Sequence, residues 1–438
     1  MSITRPDTPA SPPPTRRRFL TTSLAGLGGL NILSRVQGQT PATGSISLAM
    51  IGLGGQGSRD MRSFLASKDI RLAAICDAQE AGIIAGKAIL KEYGIQNCKV
   101  YRKHEDLLAD PSIDAVCIAT GPRWHAPISI EAMRAGKDVY SEKPVSLCRD
   151  EDIRLTKVAA ETKRIFQAGT QRASHPLFSL AVRMAREGKL GTPKLFYAHL
   201  LNYMEKPIRL PEEVKAEGPE PSVEVIDWDR WIGPSPKVPY APWFVKARDQ
   251  FRGFGHPVAD WGAHTMDLCM RAKAETAPLP LDYEFRNKRV VAKYPDGVEI
   301  LFDTPPNYPG NAGISVRLEG SEGWIYVDDN SNVEGEPRTL VQAFQNERRS
   351  TWQDIKNWKN HHQNFIDCVR SRRPPIAHPE LSERVMLAVH LASTAFEEKV
   401  SLRWDAAKQC AVAEGTPRQL TDAWMHRSYR LPWGKAAL

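Results

Sequence analysis

Ile46 to Asp77 reads ISLAMIGLGGQGSRDMRSFLASKDIRLAAICD. A short apolar run, Ile46 to Ile51, leads straight into Gly52-x-Gly54-x-x-Gly57. A helical pattern follows, then a second apolar run, Leu72 to Cys76, that ends on Asp77. The order is strand, glycine turn, helix, strand, acid, and each part has a physical job in holding a dinucleotide. Gly52 allows a tight turn off the strand, Gly54 lets the backbone approach a pyrophosphate, and Gly57 lets the helix pack close to the sheet. The helix N-terminus offers unpaired N–H groups and a positive dipole end. Asp77 stands where a carboxylate accepts both ribose hydroxyls of NAD and repels a 2′-phosphate, which favours NAD over NADP. A bare glycine pattern is a weak signal; the strand before it, the helix after it and the acid beyond make it specific.

The chain has 438 residues, more than one ordinary core, so two domains are expected. It is 42% hydrophobic and 25% charged, the balance of a globular chain. No run of about 18 apolar residues suggests a membrane span. The formal charge is +8, of which +4 comes from residues 1–38, where five arginines face Asp7. With no other Lys/Arg block, nucleic-acid binding is not inferred. Seven cysteines include no CxxC pair and none at zinc spacing from histidine, so neither a disulfide framework nor a metal site is expected.

Residues 1–38 read as an address. Arg16-Arg17-Arg18-Phe19-Leu20 precedes a weakly apolar stretch, and Val36-Gln37-Gly38 is an imperfect cleavage site. This fits a Tat export signal, with the Tat machinery as partner and the periplasm as destination; the plainer reading is a basic tail. Residues 39–168 then continue as strands and helices. Asp114 to Thr120 is a buried-strand run, Ile128 to Ala135 a helix, Asp138 to Ser141 a strand, and Arg164 to Ala168 another. That rhythm predicts a doubly wound parallel sheet, an α/β Rossmann fold, with ligands beyond the C-terminal strand ends. Gly52, Asp77, Thr120, Glu142-Lys143 and Gln171 all fall at such ends. Gln56 and His125 join them as candidate cofactor contacts.

Residues 169–438 differ. A Pro/Trp-rich irregular segment from Tyr203 to Gly255 reads as a lid or binding loop. A helix is expected from Pro257 to Met270. Strands are expected at Leu281–Arg289, Val291–Asp303, Ile314–Glu319, Trp324–Asp328 and Arg338–Gln342. Helices from Thr351 to Arg372 and Pro379 to Lys399, and an extended tail from Asp422, close the chain. Such a run predicts a second α+β domain with a large, mostly antiparallel sheet.

Lys143 sits just past a buried strand, where its ammonium can stabilise charge on a substrate oxygen. Asp260 and His264 are four apart and share a helix face, which suits acid–base work, though such pairs are common on helices. Arg172, Trp231 and Trp243 are candidate substrate contacts, aromatic faces with polar neighbours suiting a polyhydroxylated ring; packing of the loop explains the aromatics equally well.

Taken together, the glycine turn, Asp77, Ala135-Gly136-Lys137 leading to Glu142-Lys143-Pro144, and Asp260-x-x-x-His264 resemble the Gfo/Idh/MocA oxidoreductases. Asp227-Trp-Asp-Arg-Trp-Ile-Gly-Pro234 and Ser428-Tyr-Arg-Leu-Pro-Trp433 resemble a secreted branch of that family. The resemblance implies hydride exchange between nicotinamide and a secondary or anomeric hydroxyl of a sugar or cyclitol. It implies Lys143 as the polarising lysine, His264 as proton acceptor with Asp260 beside it, and homodimers or homotetramers through the open sheet. One departure is Gly121, which intervenes where the family often has Thr-Pro. Two rivals remain: cleavage of a glycoside through transient oxidation, and a non-catalytic carbohydrate-binding protein that keeps NAD.

Overall fold

The computed structural model describes residues 44–200, 208–350, 360–413 and 425–433. The proposed export signal, Tyr203, the start of the helix expected at Thr351 and the tail's Asp422 lie outside the described residues.

Six strands form the first sheet: β1 (Ile46–Ile51), β2 (Ile70–Cys76), β3 (Lys99–Tyr101), β4 (Ala115–Ile118), β5 (Asp138–Ser141) and β6 (Phe166–Ala168). Their order is β3-β2-β1-β4-β5-β6 and every pairing is parallel. Helices α1 (Gly55–Leu65), α2 (Glu80–Glu92), α3 (His104–Leu108), α4 (His125–Arg134) and α5 (Arg149–Thr162) alternate with these strands. Parallel strands buried on both faces need continuous apolar runs, and β1, β4 and β5 are buried at every position. Register decides where the site can form. Ile51 is level with Cys76 and with Ile118, Ile118 with Ser141, and Ser141 with Ala168. Five strands therefore end in line, and the residues after them emerge side by side. The order reverses between β1 and β4, where the crevice of such a sheet opens.

Helix α6 (Pro176–Arg186) leads to the second sheet, which begins with β7 (Pro193–Ala198). The irregular stretch that follows holds two short helices, α7 (Trp228–Ile232) and α8 (Pro242–Ala247). It has its own apolar cluster, in which Phe244, Phe251 and Phe254 are fully buried around stacked Trp228 and Trp231. At ~2–3 kcal/mol for each buried ring, this cluster fixes a segment with little regular backbone pairing. Next come α9 (Pro257–Lys273), β8 (Asp282–Arg286), β9 (Arg289–Lys293), β10 (Glu299–Phe302), β11 (Ser315–Gly320), β12 (Trp324–Asp328) and β13 (Val333–Glu336). Helices α10 (Arg338–Ser350), α11 (Asn360–Ser371) and α12 (Pro379–Glu398) and the hairpin β14 (Leu402–Asp405) and β15 (Cys410–Ala413) complete the described elements. The nine strands run β13-β12-β11-β7-β10-β9-β8-β14-β15, antiparallel except for β7 with β10. Helices α6, α9 and α12 pack on this sheet, and α12 also packs on α5 of the first half. One hydrophobic core runs through both halves, from Val116 and Phe166 to Phe196, Met266 and Val389.

Two expectations are corrected. Arg338–Gln342 is not a strand; it opens α10, because Leu340 and Phe344, four apart, turn one face inward. Val291–Asp303 is not one strand: Pro295-Asp296-Gly297 turns the chain between β9 and β10, with Gly297 at φ +85°. The segment Met425–Trp433 has neither helix nor strand and is tied down by side chains: Tyr429 Oη donates to Glu151 (2.7 Å) and Trp433 Nε1 to Asp229 (3.1 Å).

Close packing at the glycine turn is testable. A Cβ on Gly57 would lie 2.0 Å from the carbonyl oxygen of Gly52, a backbone atom that cannot swing aside. Gly57→Ala is expected to lower stability by about 2 kcal/mol or more, read from urea unfolding; an unchanged midpoint would contradict the packing described.

Candidate functional site

The chain leaves β1 at Gly52, whose φ of +89° suits glycine and whose Cβ would meet Ala119 O at 2.6 Å. Gly54 caps α1 with no side-chain hydrogen bond, the first turn carries no acid, and nothing stands within 4 Å of a Cβ on Gly54. The helix thus presents free N–H groups to open space, the cradle a pyrophosphate needs. Beside it, Asp77 accepts from Leu53 N (2.8 Å) and Gln79 N (2.9 Å), which pins the glycine turn to β2. Burial pushes its carboxyl up from the usual range, opposed by those amides and by Arg102. These groups line a cavity of about 680 Å3 that also takes in Thr120, Gly121, Trp124 and Trp231. A dinucleotide fits these residues: each carboxylate oxygen of Asp77 keeps a lone pair for a ribose hydroxyl.

A second cavity, about 690 Å3, lies next to the first and shares Gln56 with it. Lys143, from the end of β5, donates through Nζ to Asp260 Oδ1 (2.6 Å) and to Asp260 O (2.8 Å). Asp260 is in the first turn of α9, where the helix dipole favours its charge. His264, one turn on, is almost wholly buried and faces Arg172, whose Nη1 donates to Nε2 at 3.4 Å. That bond leaves the ring proton on Nδ1. Burial, then the charges of Arg172 and Lys143, hold the imidazole well below its usual pKa, so it is neutral. Arg172 grips Asp329 with two bonds, 3.1 and 2.7 Å, tying the site to the second sheet. Glu142 accepts from Gln171 and from Gln56 (3.4 Å), and burial with the neighbouring Asp60 drives its carboxyl up.

Gly52, Gly54, Gln56, Asp77 and Thr120 lie on the first cavity; Glu142, Lys143, Gln171, Arg172, Asp260 and His264 lie on the second, with Gln56 on both. Gly57 lies behind the turn. His125 lines neither cavity; its Nδ1 donates to Pro144 O (2.7 Å), and burial lowers its pKa to about 4. It braces the loop after β4 against the loop after β5. Trp231 falls on the nucleotide cavity, and Trp243 on neither, packing against Phe251 in the aromatic cluster. Asp260 turns its carboxylate to Lys143, while His264 faces Arg172. Of the carboxyls and imidazoles on the second cavity, three escape a reading of the sequence: Asp60, Asp329 and His362. Asp60 is one turn from Gln56 on α1, a spacing that marks a shared face and nothing more.

Family models match both halves. Residues 46–170 match the Gfo/Idh/MocA oxidoreductase family's NAD-binding Rossmann fold. Residues 214–433 match its C-terminal alpha/beta domain. The chain belongs to the Gfo/Idh/MocA oxidoreductase family. Among solved structures it is similar to GenD2 from gentamicin A biosynthesis in complex with NAD, at 18% identity, TM-score 0.58, covering 83% of this chain and 97% of that one. It is also similar to a putative myo-inositol dehydrogenase from Sinorhizobium meliloti, at 17% identity, TM-score 0.55, covering 82% and 99%. Curated relatives include a glycosyl hydrolase family 109 protein of Shewanella sp. (strain W3-18-1), 28% identical over 177 residues. Another is from Solibacter usitatus, 28% identical over 156 residues. The chain spans about two fifths of the length of these curated relatives: 38% of the first and 35% of the second, covering 38% and 32% of this chain.

Asp77 gives a direct test of the nucleotide cavity. Trp124 and Trp231 line it, so bound NAD should quench tryptophan fluorescence. Asp77→Ala removes two bonds to the turn as well as the ribose acceptor and is expected to weaken NAD at least ~10-fold. An unchanged titration would place the nucleotide elsewhere.

Proposed function

We propose that this chain is an exported, NAD-dependent oxidoreductase that moves a hydride between nicotinamide and a secondary or anomeric hydroxyl of a sugar, glycoside or inositol. The observation that carries it is the junction at Gln56. A dinucleotide cradle opens there onto a cavity holding Lys143, Asp260 and His264. The glycine turn and α1 hold the pyrophosphate, and Asp77 the ribose. NAD is preferred to NADP because Asp77 repels a 2′-phosphate. The nearby Arg102 is also engaged already, with Glu80 (3.3 Å) and the Val223 carbonyl (3.3 Å). Bound nicotinamide supplies the hydride acceptor. Lys143, oriented by Asp260, donates to the reacting oxygen and stabilises the charge that grows there. The Lys143–Asp260 pair and neutral His264 take the hydroxyl proton; a substrate oxygen that draws Arg172 away frees His264 Nε2. Arg172 and Gln171 hold the ring.

Residues 1–38 serve as the Tat signal in this reading, residues 39–168 as the nucleotide domain and 169–438 as the substrate and assembly domain. The two family matches support the last two. In a periplasm without an NAD pool, the cofactor stays bound and a second substrate recycles it. The second sheet supports a homodimer or homotetramer: Tyr197 and Leu301 lie in register on one face among Lys293, Glu284 and Glu299.

A second reading is glycoside cleavage through transient oxidation. The names of the curated relatives favour it. So does a second set of titratable carboxyls, Asp60 and Glu142, on the same cavity.

The test uses mature protein from Gln39 onward and follows the nicotinamide band, near ~340 nm, with a panel of sugars, glycosides and inositols. A band that rises with one sugar and falls with a carbonyl substrate is expected, and Lys143→Ala should slow it ~100-fold or more while NAD still binds. A glycoside consumed with no net band would favour the second reading. Sugar binding without redox, unchanged by Lys143→Ala, would overturn both.

A further inference from the structure

Asp60 and Glu142 come from α1 and the end of β5, and both are almost wholly buried, 1% and 3% exposed. One amide joins them: Gln56 Nε2 donates to Asp60 Oδ1 (2.9 Å) and to Glu142 Oε1 (3.4 Å). Both carboxyls thus accept from one amide nitrogen, which holds them side by side. His362 Nε2, from α11, reaches the same Asp60 oxygen at 3.1 Å. Asp60 Oδ2 and His362 Nδ1 have no hydrogen-bond donor or acceptor paired with them among the described residues. All four residues line the second cavity. No lysine or arginine forms an ion pair with either carboxylate among the described residues, whereas Asp260 has Lys143 and Asp329 has Arg172.

Every element packed against the pair bears on its charge. Arg59 on the same helix and Lys143 beside Glu142 favour ionisation. Cys117 and Tyr140, on β4 and β5, are held neutral by burial, as is His362, whose pKa falls to about 4. Burial opposes a second charge, and so does repulsion between the two carboxylates; both groups are driven up out of the carboxylate range.

We propose that Asp60 and Glu142 hold one proton between them and act as the general acid toward the departing oxygen of a bound glycoside. Lys143, Asp260 and His264 are left to serve the carbon side. The inference rests on the second reading above. A carbonyl two ring carbons from the carbon that bears the departing oxygen, made by the redox chemistry of the site, acidifies the C–H on the carbon between them. In the elimination the C–H electron pair becomes the new C=C bond, and its proton goes to the Lys143–Asp260 pair or His264. The C–O bonding pair leaves with the departing oxygen. That oxygen takes the proton shared by Asp60 and Glu142 and leaves as a neutral alcohol. The elimination step thus needs one base and one acid, and the cavity has a separate group for each.

The test compares methyl and p-nitrophenyl glycosides of the same sugar on NAD-loaded protein. A nitrophenolate leaves without an acid; a methoxide does not. Asp60→Asn is expected to cut methyl glycoside cleavage ~100-fold or more and nitrophenyl glycoside cleavage only a few-fold. Glu142→Gln should do the same, and supplies the result if Asp60→Asn fails to fold, as judged by NAD quenching. A difference infrared spectrum, wild type minus variant at neutral pH, should show the carboxylic-acid C=O stretch of the shared proton. Equal loss on both glycosides, no loss on either, or no such band would overturn the assignment. Wild-type protein that cleaves neither glycoside would instead sink the second reading, and this inference with it.

Discussion

Lys143 leaves the first sheet and Asp260 belongs to a helix of the second, so the 2.6 Å bond between them requires both halves to hold one geometry. An ion pair this accessible contributes only ~1 kcal/mol and cannot impose that geometry. The shared core does so. Packing of α5 on α12, and of α6 and α9 on the nine-stranded sheet, sets where α9 points its first turn. The strand register then delivers Lys143 to it, because β5 ends level with β4 and β6. Chemistry at the rim is therefore a consequence of packing well behind it.

The charges around the second cavity follow one pattern with one exception. Lys143 faces Asp260, and Arg172 faces Asp329, each cation with its carboxylate. These pairs carry hydrogen bonds to every charged group, which lets them sit half-buried without heavy cost. Asp60 and Glu142 share a cavity wall with no cation paired to either among the described residues, and a proton does for them what lysine and arginine do elsewhere. Burial, and then the positive neighbours that would repel its protonated form, keep His264 neutral. The cavity thus holds one ammonium, two neutral imidazoles and one carboxyl pair, three kinds of group with different appetites for protons.

Much of this was legible in the chain. Ile46–Asp77 carries the first sheet's character because each glycine answers a local steric demand: positive φ at Gly52, open space at Gly54, backbone contact at Gly57. Lys143, Asp260 and His264 could be singled out because strand ends and helix spacing are local properties. Partner choice was not legible. Spacing pairs Asp260 with His264, but the fold pairs Asp260 with Lys143 and His264 with Arg172, across 117 and 92 residues of chain. Asp60 and His362 are 302 residues apart and meet only through tertiary packing. The misread strands failed for the opposite reason, a weak local signal. Arg338–Gln342 is too short for its pattern to separate period two from period 3.6, and burial of Leu340 and Phe344 decides it.

The central claim is that the glycine turn aims a dinucleotide at Lys143. A crystal structure of the NAD-loaded protein tests it most directly. The account predicts pyrophosphate at Gly54 and the N-terminus of α1, ribose hydroxyls on Asp77, and the nicotinamide passing Gln56 to face Lys143. Density for the nicotinamide turned away from Lys143, or for the nucleotide outside the cavity beneath Gly52–Gly57, would contradict it.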